Sequence, residues 1–187
     1  MVRDKILEAA VAVFSRKGYH PASVDEIALA AGVAKGSIYY HFHGKSELFT
    51  AVIHEGIAEI HRQVSLVLAN ASDARAVLAA FITGLLQTCI DYPDMVDLIM
   101  EERVGDMDPA TGEKVWQARA DFSSYAASLI DEGIREGLLK SCNSQSVAAG
   151  AIAFIYAYFK TAHRLGRLRD EIVQETTDFI LQGLERL

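Results

Sequence analysis

Apolar residues recur along this chain at three- and four-residue intervals, and no run alternates strictly as a half-buried strand would. Val2, Ile6, Ala9, Ala10, Val13 and Phe14 fall on one face of a helix from about Val2 to Lys17. Arg16 and Lys17 complement the negative end of its dipole, and Gly18 stops it. Pro21 lies in the connection. Ser23 and Glu26 have capping-box spacing, the hydroxyl accepting from a backbone N–H while the carboxylate reaches back. They open a short helix from Ser23 to Ala31, with Ile27 and Ala30 as its apolar face, and Gly32 stands where a left-handed terminator is needed. A second short run, Lys35 to Phe42, follows; His43-Gly44 then breaks the chain before a third helix. Two short helices around a tight turn predict a helix-turn-helix, whose second helix enters the DNA major groove.

The third helix begins near Lys45 and is long, with Leu48, Val52, Ile53, Ile57, Ile60, Val64 and Val67 along it. Asn70-Ala71-Ser72 ends it, and Ser72 or Asp73 caps another helix to about Asp91. Tyr92-Pro93 is a boundary, because the residue before proline resists the α region. A short helix from Asp94 to Arg103 comes next. Gly105 to Gly112, with Asp106, Asp108 and Pro109, reads as the clearest loop, followed by a helix from about Glu113 to Gly137. An apolar helix over 144–165 and a closing helix over 170–187 complete the chain. The latter carries Ile172, Thr176, Phe179, Ile180, Gly183, Leu184 and Leu187 as one stripe. The predicted fold is all-α with about nine helices: an N-terminal three-helix domain over 1–47 and a C-terminal helical bundle over 48–187.

Composition fits this picture: of 187 residues, 51% are hydrophobic and only three are proline. The most apolar stretch, Val147 to Phe159, is well short of the roughly 20 residues that span a bilayer, so it predicts a buried helix and no membrane partner. Met1 to Lys17 mixes acids with bases along an amphipathic face and predicts no targeting segment. Cys89 and Cys142 form no CxxC and have no His-rich partner; they read as buried, inert thiols of a reducing cytoplasm. The net charge of −7 argues against a protein that holds nucleic acid by bulk electrostatics. The distribution softens that objection. Residues 1–50 carry six Lys/Arg against five Asp/Glu, a net +1, and the remainder carries 12 against 20, a net −8.

The first fifty residues resemble the tetracycline-repressor (TetR) family of transcriptional regulators. The resemblance rests on Ile6-Leu7-x-Ala9-Ala10, Phe14, Gly18-Tyr19, Ser23-Val24-x-x-Ile27-Ala28, Ala31-Gly32-Val33, Lys35-Gly36-Ser37-Ile38-Tyr39-Tyr40-His41-Phe42 and Lys45-x-x-Leu48. Beyond Thr50 it rests on helix number and length, on IDEGIREGLL and on TTDFILQGL. It implies a homodimer, a small-molecule effector bound inside the larger domain, and usually repression of a DNA operator. No cofactor is implied. One departure stands out: Ala34 occupies the position where the second helix usually has a Ser or Thr cap.

Within this frame the candidate DNA-binding residues are Ser23, Lys35, Ser37, Tyr39, Tyr40, His41 and Lys45. Tyr39 and Lys45 are expected on phosphates; Ser37, Tyr40 and Lys35 are within reach of base edges. Tyr39 and His41 also have a packing role open to them against the first helix. His41-x-His43 lacks a third ligand, so no metal site is read into it. The candidate effector pocket comprises Gln87, Tyr92, Met95, Met100, Glu101, Arg103, Met107, Trp116, Phe122, Tyr125, Tyr156 and His163. Such a mixture suits a mostly apolar ligand, although aromatics and Met at helical spacing equally describe a core. Tyr156, Tyr158, Phe159, Phe179 and Leu184 are candidates for a seam between two copies, with completion of the monomer core as the alternative. No Gly-rich phosphate loop, nucleophile elbow or HExxH supports an enzyme. A helical protein–protein adaptor that has lost DNA binding is the competing reading.

Overall fold

The computed structural model describes residues 1–68, 73–100, 107–167 and 169–184. Among these, the elements are α1 (Val2–Lys17), α2 (Val24–Ala31), α3 (Lys35–His41), α4 (Lys45–Leu68), α5 (Ala74–Asp91), α6 (Pro93–Met100), α7 (Pro109–Arg135), α8 (Ser144–Arg164) and α9 (Arg169–Leu184), and no strand is present. The all-α expectation holds. The expected helix end at Asn70–Ser72, the run of α6 on to Arg103 and the terminal Leu187 lie outside the described residues.

Two compact units are assembled from interleaved segments. The first comprises Met1–Ala58 with Pro93–Arg119, the second Glu59–Tyr92 with Ala120–Leu187. In the first unit, α1 packs on α2, α3 and α6. Ile6, Ala10, Val13, Phe14, Ile27, Ile38, Leu48 and Ile53 are buried, as are Val96 and Ile99 of α6 and Val115 of α7. Three short helices bury too little apolar area to be comfortably stable by themselves. The residues of α6 and α7 extend that core. Contact is close: a Cβ at Gly56 would lie 2.8 Å from Ile99 Cδ1 and 2.9 Å from Met95 Cγ, so those side chains would have to shift to admit one. Met95, expected to line a pocket, is thus packed against α4. Val2 departs from its expected face and is exposed.

The stretch read as the clearest loop is partly helical, since α7 starts at Pro109 rather than near Glu113. Asp108 accepts from the backbone N–H of Thr111 at 3.0 Å and from its hydroxyl at 2.6 Å. A capping carboxylate followed by proline at the first helical position is a helix start. The flanking glycines obscured it. At the other end α7 stops at Arg135, and Gly137 turns the chain with φ 75°.

In the second unit α5 packs against α8 and α9. Leu78, Leu85, Leu86, Phe122, Ile130, Leu139, Ile155 and Leu181 form the core, and the N–H of Lys140 donates to the carbonyl of Leu184 at 2.9 Å. Phe159 belongs to this core at 3% exposure, which corrects its expected place on an intersubunit seam. A helix as apolar as α8 gives periodicity no means of telling an inner aromatic from an outer one. Asn143 caps α8 by accepting from Ser146 N–H at 2.9 Å. Cys89 is buried but Cys142 is exposed, contrary to the expectation of two buried thiols. Among the described residues no single helix is long and apolar enough to cross a membrane.

Candidate nucleic-acid interface

The geometry of α2 and α3 follows from local chemistry. Ser23 adopts an extended backbone (φ −120°, ψ 152°), its Oγ accepts from Glu26 N–H at 3.2 Å, and Glu26 Oε2 accepts from Ser23 N–H at 3.2 Å. Both members of the predicted capping box are therefore made. Gly32 sits in the left-handed region (φ 65°, ψ 35°), and the N–H of Val33 returns to the carbonyl of Ala28 at 3.0 Å. The chain is thereby turned into α3. That helix starts at Ala34 with no side-chain cap, as Ala34 dictates, at a cost of about 1 kcal/mol relative to Ser or Thr.

Seven residues are too few for an isolated helix, so α3 depends on what its inner face buries. Ile38 is fully buried and Phe42 nearly so. The outer face is different. Tyr40 is 85% exposed and Tyr39 50%, while Lys35 and Gly36 are exposed and Ser37 and His41 are half-buried. Gly36 lies three and four residues before the two tyrosines, hence on their face, and a Cβ placed there would meet nothing within 4 Å. Tyr40 touches His41 edge-on, with ring centroids 5.0 Å apart. His43 turns away to pair with Glu47, Nδ1 to Oε2 at 2.9 Å.

Most of the head's cations are engaged. Lys35 Nζ is 2.8 Å from Asp25 Oδ1, Arg3 pairs with Glu55 at 2.9 Å, and Lys17 pairs with Glu26. Asp25 keeps the Lys35 ammonium protonated to higher pH than usual by hydrogen bonding and Coulomb attraction, and Lys17 holds the Glu26 carboxyl below the ordinary range. Lys45 corrects an expectation. Rather than reaching toward a phosphate, its ammonium donates to the carbonyls of His20 and Ala22 at 3.0 and 3.1 Å and lies 4.5 Å from the Tyr19 ring centroid. Burial lowers its pKa. The same ring packs on Phe49 at 5.0 Å, and Phe49 on Phe14 at 4.9 Å. Lys45 thus clamps the α1–α2 connection to the start of α4. Ser23 is likewise occupied, as the cap of α2.

The expected pocket residues are divided between the two units. Met100 and Trp116 belong to the first unit, where Trp116 is 59% exposed; Gln87, Tyr92, Phe122, Tyr125 and Tyr156 belong to the second. Within the second unit Gln87 donates to Asp91, Tyr92 ends α5 exposed, His163 is exposed, and Tyr156 is half-buried with Lys160 Nζ 5.9 Å from its ring centroid. Met107 is half-buried, while Glu101 and Arg103 lie outside the described residues. Phe122 and Tyr125 do come together. They meet two residues the sequence reading missed, His61 and Phe81: His61 lies 4.7 Å from Tyr125 and 5.3 Å from Phe122, and Phe81 lies 5.9 Å from Phe122, between centroids. Burial depresses the His61 pKa and raises that of Tyr125, so the imidazole is neutral at pH 7. Its signal in the sequence was a polar ring next to the Ile57, Ile60 and Val64 stripe. Of the expected seam residues, Phe179 is 64% exposed and stacks on Phe154 at 4.9 Å, and Leu184 is half-buried. Tyr158 is bound to Glu175 and accepts from Arg167 at 3.0 Å.

A capped helix, a left-handed glycine turn and a short second helix with bare tyrosines define a helix-turn-helix DNA-binding regulator. Residues 6–52 match the model of bacterial regulatory proteins of the tetR family. The HTH-type transcriptional activator FasR of Mycolicibacterium smegmatis is 29% identical over 151 residues, covering 81% of this chain and 67% of that protein. The HTH-type transcriptional repressor KstR2 of Rhodococcus jostii is 23% identical over 142 residues, covering 74% and 68%. Among solved structures, the fatty acid degradation regulator FadR of Bacillus halodurans superposes with a TM-score of 0.83 at 20% identity, covering 99% of this chain and 97% of that one. Residues 6–52 are thus a DNA-binding domain of the TetR family, and the chain as a whole is similar to transcriptional regulators of that family.

Proposed function

We propose that the chain works as a homodimeric repressor that reads a palindromic operator with α3 of each copy and is released by an apolar small-molecule effector. The observation that carries the reading is the asymmetry of α3: one face holds a fully buried Ile38, and the other presents Tyr40, 85% exposed, and the half-exposed Tyr39 to solvent. Ser37, Tyr39, Tyr40 and Lys35 are the proposed contacts, and His41 supports them from the half-buried flank. Ser23 and Lys45 are the proposed positioning residues of the surface. One short helix spans only a few base pairs, so specificity calls for two heads about 34–36 Å apart on the duplex.

The division of labour follows the chain: residues 1–47 read DNA and 48–187 bind the effector and the second copy. For the second copy, α8 and α9 offer an open apolar groove of about 540 Å³ lined by Val147, Gly150, Ala151, Phe154, Phe179 and Gly183 among others. A Cβ at Gly150 or Gly183 would meet nothing within 4 Å, which leaves room for another helix at close range. For the effector, the His61, Phe81, Phe122 and Tyr125 cluster supplies aromatic walls and one neutral polar group. Regulators named for fatty acid degradation and for ketosteroids share this fold, and an effector of comparable apolarity suits such walls. Helix α4 carries His61 and also Leu48 and Ile53 of the reading head's core. A displacement at its C-terminal half would therefore shift the spacing of two heads, with coupling of about 1–3 kcal/mol.

The seam is testable by Phe179→Glu. The substituted side chain is mostly exposed in one copy, so the monomer should keep its helical content. In a dimer two carboxylates would be buried in an apolar seam, and unpaired buried charge is strongly disfavoured. Sedimentation should show the dimer dissociation constant rising by at least about tenfold, with operator affinity falling alongside. An unchanged dimer would remove α8–α9 as the seam.

A further inference from the structure

A carboxylate stands beside the first residue of α3. Asp25, in the first turn of α2, places Oδ1 2.8 Å from Lys35 Nζ and Oδ2 2.9 Å from it. Lys35 is the first residue of α3. We propose that Asp25 is an intramolecular competitor of DNA phosphates for Lys35, and so keeps the affinity of the head for non-operator DNA low.

A charge-assisted pair at 2.8 Å has the geometry an ammonium makes with a phosphate oxygen. Each carboxylate oxygen occupies a site at which a phosphate oxygen would bind. The pair is also exchangeable. Both side chains are about half or more exposed, at 52% and 66%, and exposed ion pairs contribute little to stability because water screens them. The pair therefore does not brace the fold, and it opens when a phosphate is offered at sufficient local concentration. Its effect is on charge. Non-specific DNA binding is driven almost wholly by cations that release counterions from phosphates. Lys17, Arg3 and Lys45 are engaged elsewhere in the same head, so withholding Lys35 removes a large share of what is left. The surface then depends on tyrosine and serine contacts that only a matching duplex satisfies.

The proposal rests on α3 facing DNA, and the test separates the two. Binding of the full-length chain to a fluorescent random-sequence duplex is titrated across a salt series for the parent, Asp25→Asn, Lys35→Met, the double variant and Tyr40→Ala. Asp25→Asn should tighten random-duplex binding about 3- to 30-fold. It should also steepen the slope of log affinity against log salt by about one per head. In the Lys35→Met background the same substitution should have no effect. The proposal is overturned if Asp25→Asn leaves affinity and slope unchanged, or if its effect persists undiminished without Lys35, which would make it plain repulsion. If Asp25→Asn is without effect and Tyr40→Ala also leaves binding to a duplex selected by the parent chain unchanged, the reading of α3 itself is what has failed. Asp25→Ala carries the same expectations should the Asn variant misfold, and circular dichroism checks each variant's helical content.

Discussion

Tyr40→Ala is expected to abolish operator recognition while leaving the protein folded. The ring is 85% exposed and makes one edge contact, with His41. Removing it therefore strips little from the monomer, and surface changes of this kind shift stability by less than about 0.5 kcal/mol. At a groove the same ring presents a hydroxyl and an apolar plane to base edges, worth about 1–3 kcal/mol per contact. A dimer loses the contact twice. Operator affinity should therefore fall about 30- to 20,000-fold, with the melting temperature and the dimer unchanged. Electrophoretic mobility shift on the operator, beside a thermal melt, reads both. A variant altered only in solubility or assembly would favour the adaptor reading instead.

The largest expected effect on stability lies in the second unit. A Cβ at Gly84 would stand 2.7 Å from Val64 Cα and 3.0 Å from Val64 N, both backbone atoms that no rotamer change can move. Gly84→Val must push α4 and α5 apart within that unit, at a cost of about 3 kcal/mol. For a chain of this length that corresponds to a fall in melting temperature of about 6–12 °C. Gly36→Ala is the matched control, since its added methyl meets nothing and alanine is the better helix former. A Gly84→Val protein as stable as its parent would show that α4 and α5 separate freely.

The reading head was legible because its determinants are local. Ser23, Glu26 and Gly32 act on backbone groups within five residues, and Ile38 and Phe42 declare the inner face of α3 by spacing alone. What escaped was non-local. Lys45 finds its carbonyl partners more than twenty residues earlier, and nothing near Lys45 in sequence announces them. Phe159 and Phe179 lie on helices whose apolar character is too broad for periodicity to separate core from surface. The start of α7 was written locally in Asp108-Pro109, but the flanking glycines carried the stronger turn signal. His61 escaped because a single polar ring beside an apolar stripe has no fixed meaning until Phe81, Phe122 and Tyr125 are seen to meet it.

The central claim is that two copies of α3 read DNA together, in register. Selection of bound sequences from a pool of random duplexes, at physiological salt and with the full-length chain, tests it most directly. The expected product is a palindrome whose half-sites lie about one helical turn apart, lost from the pool when the selection is repeated with Tyr40→Ala. Enrichment of a single unpaired half-site, or of no sequence at all, would contradict it.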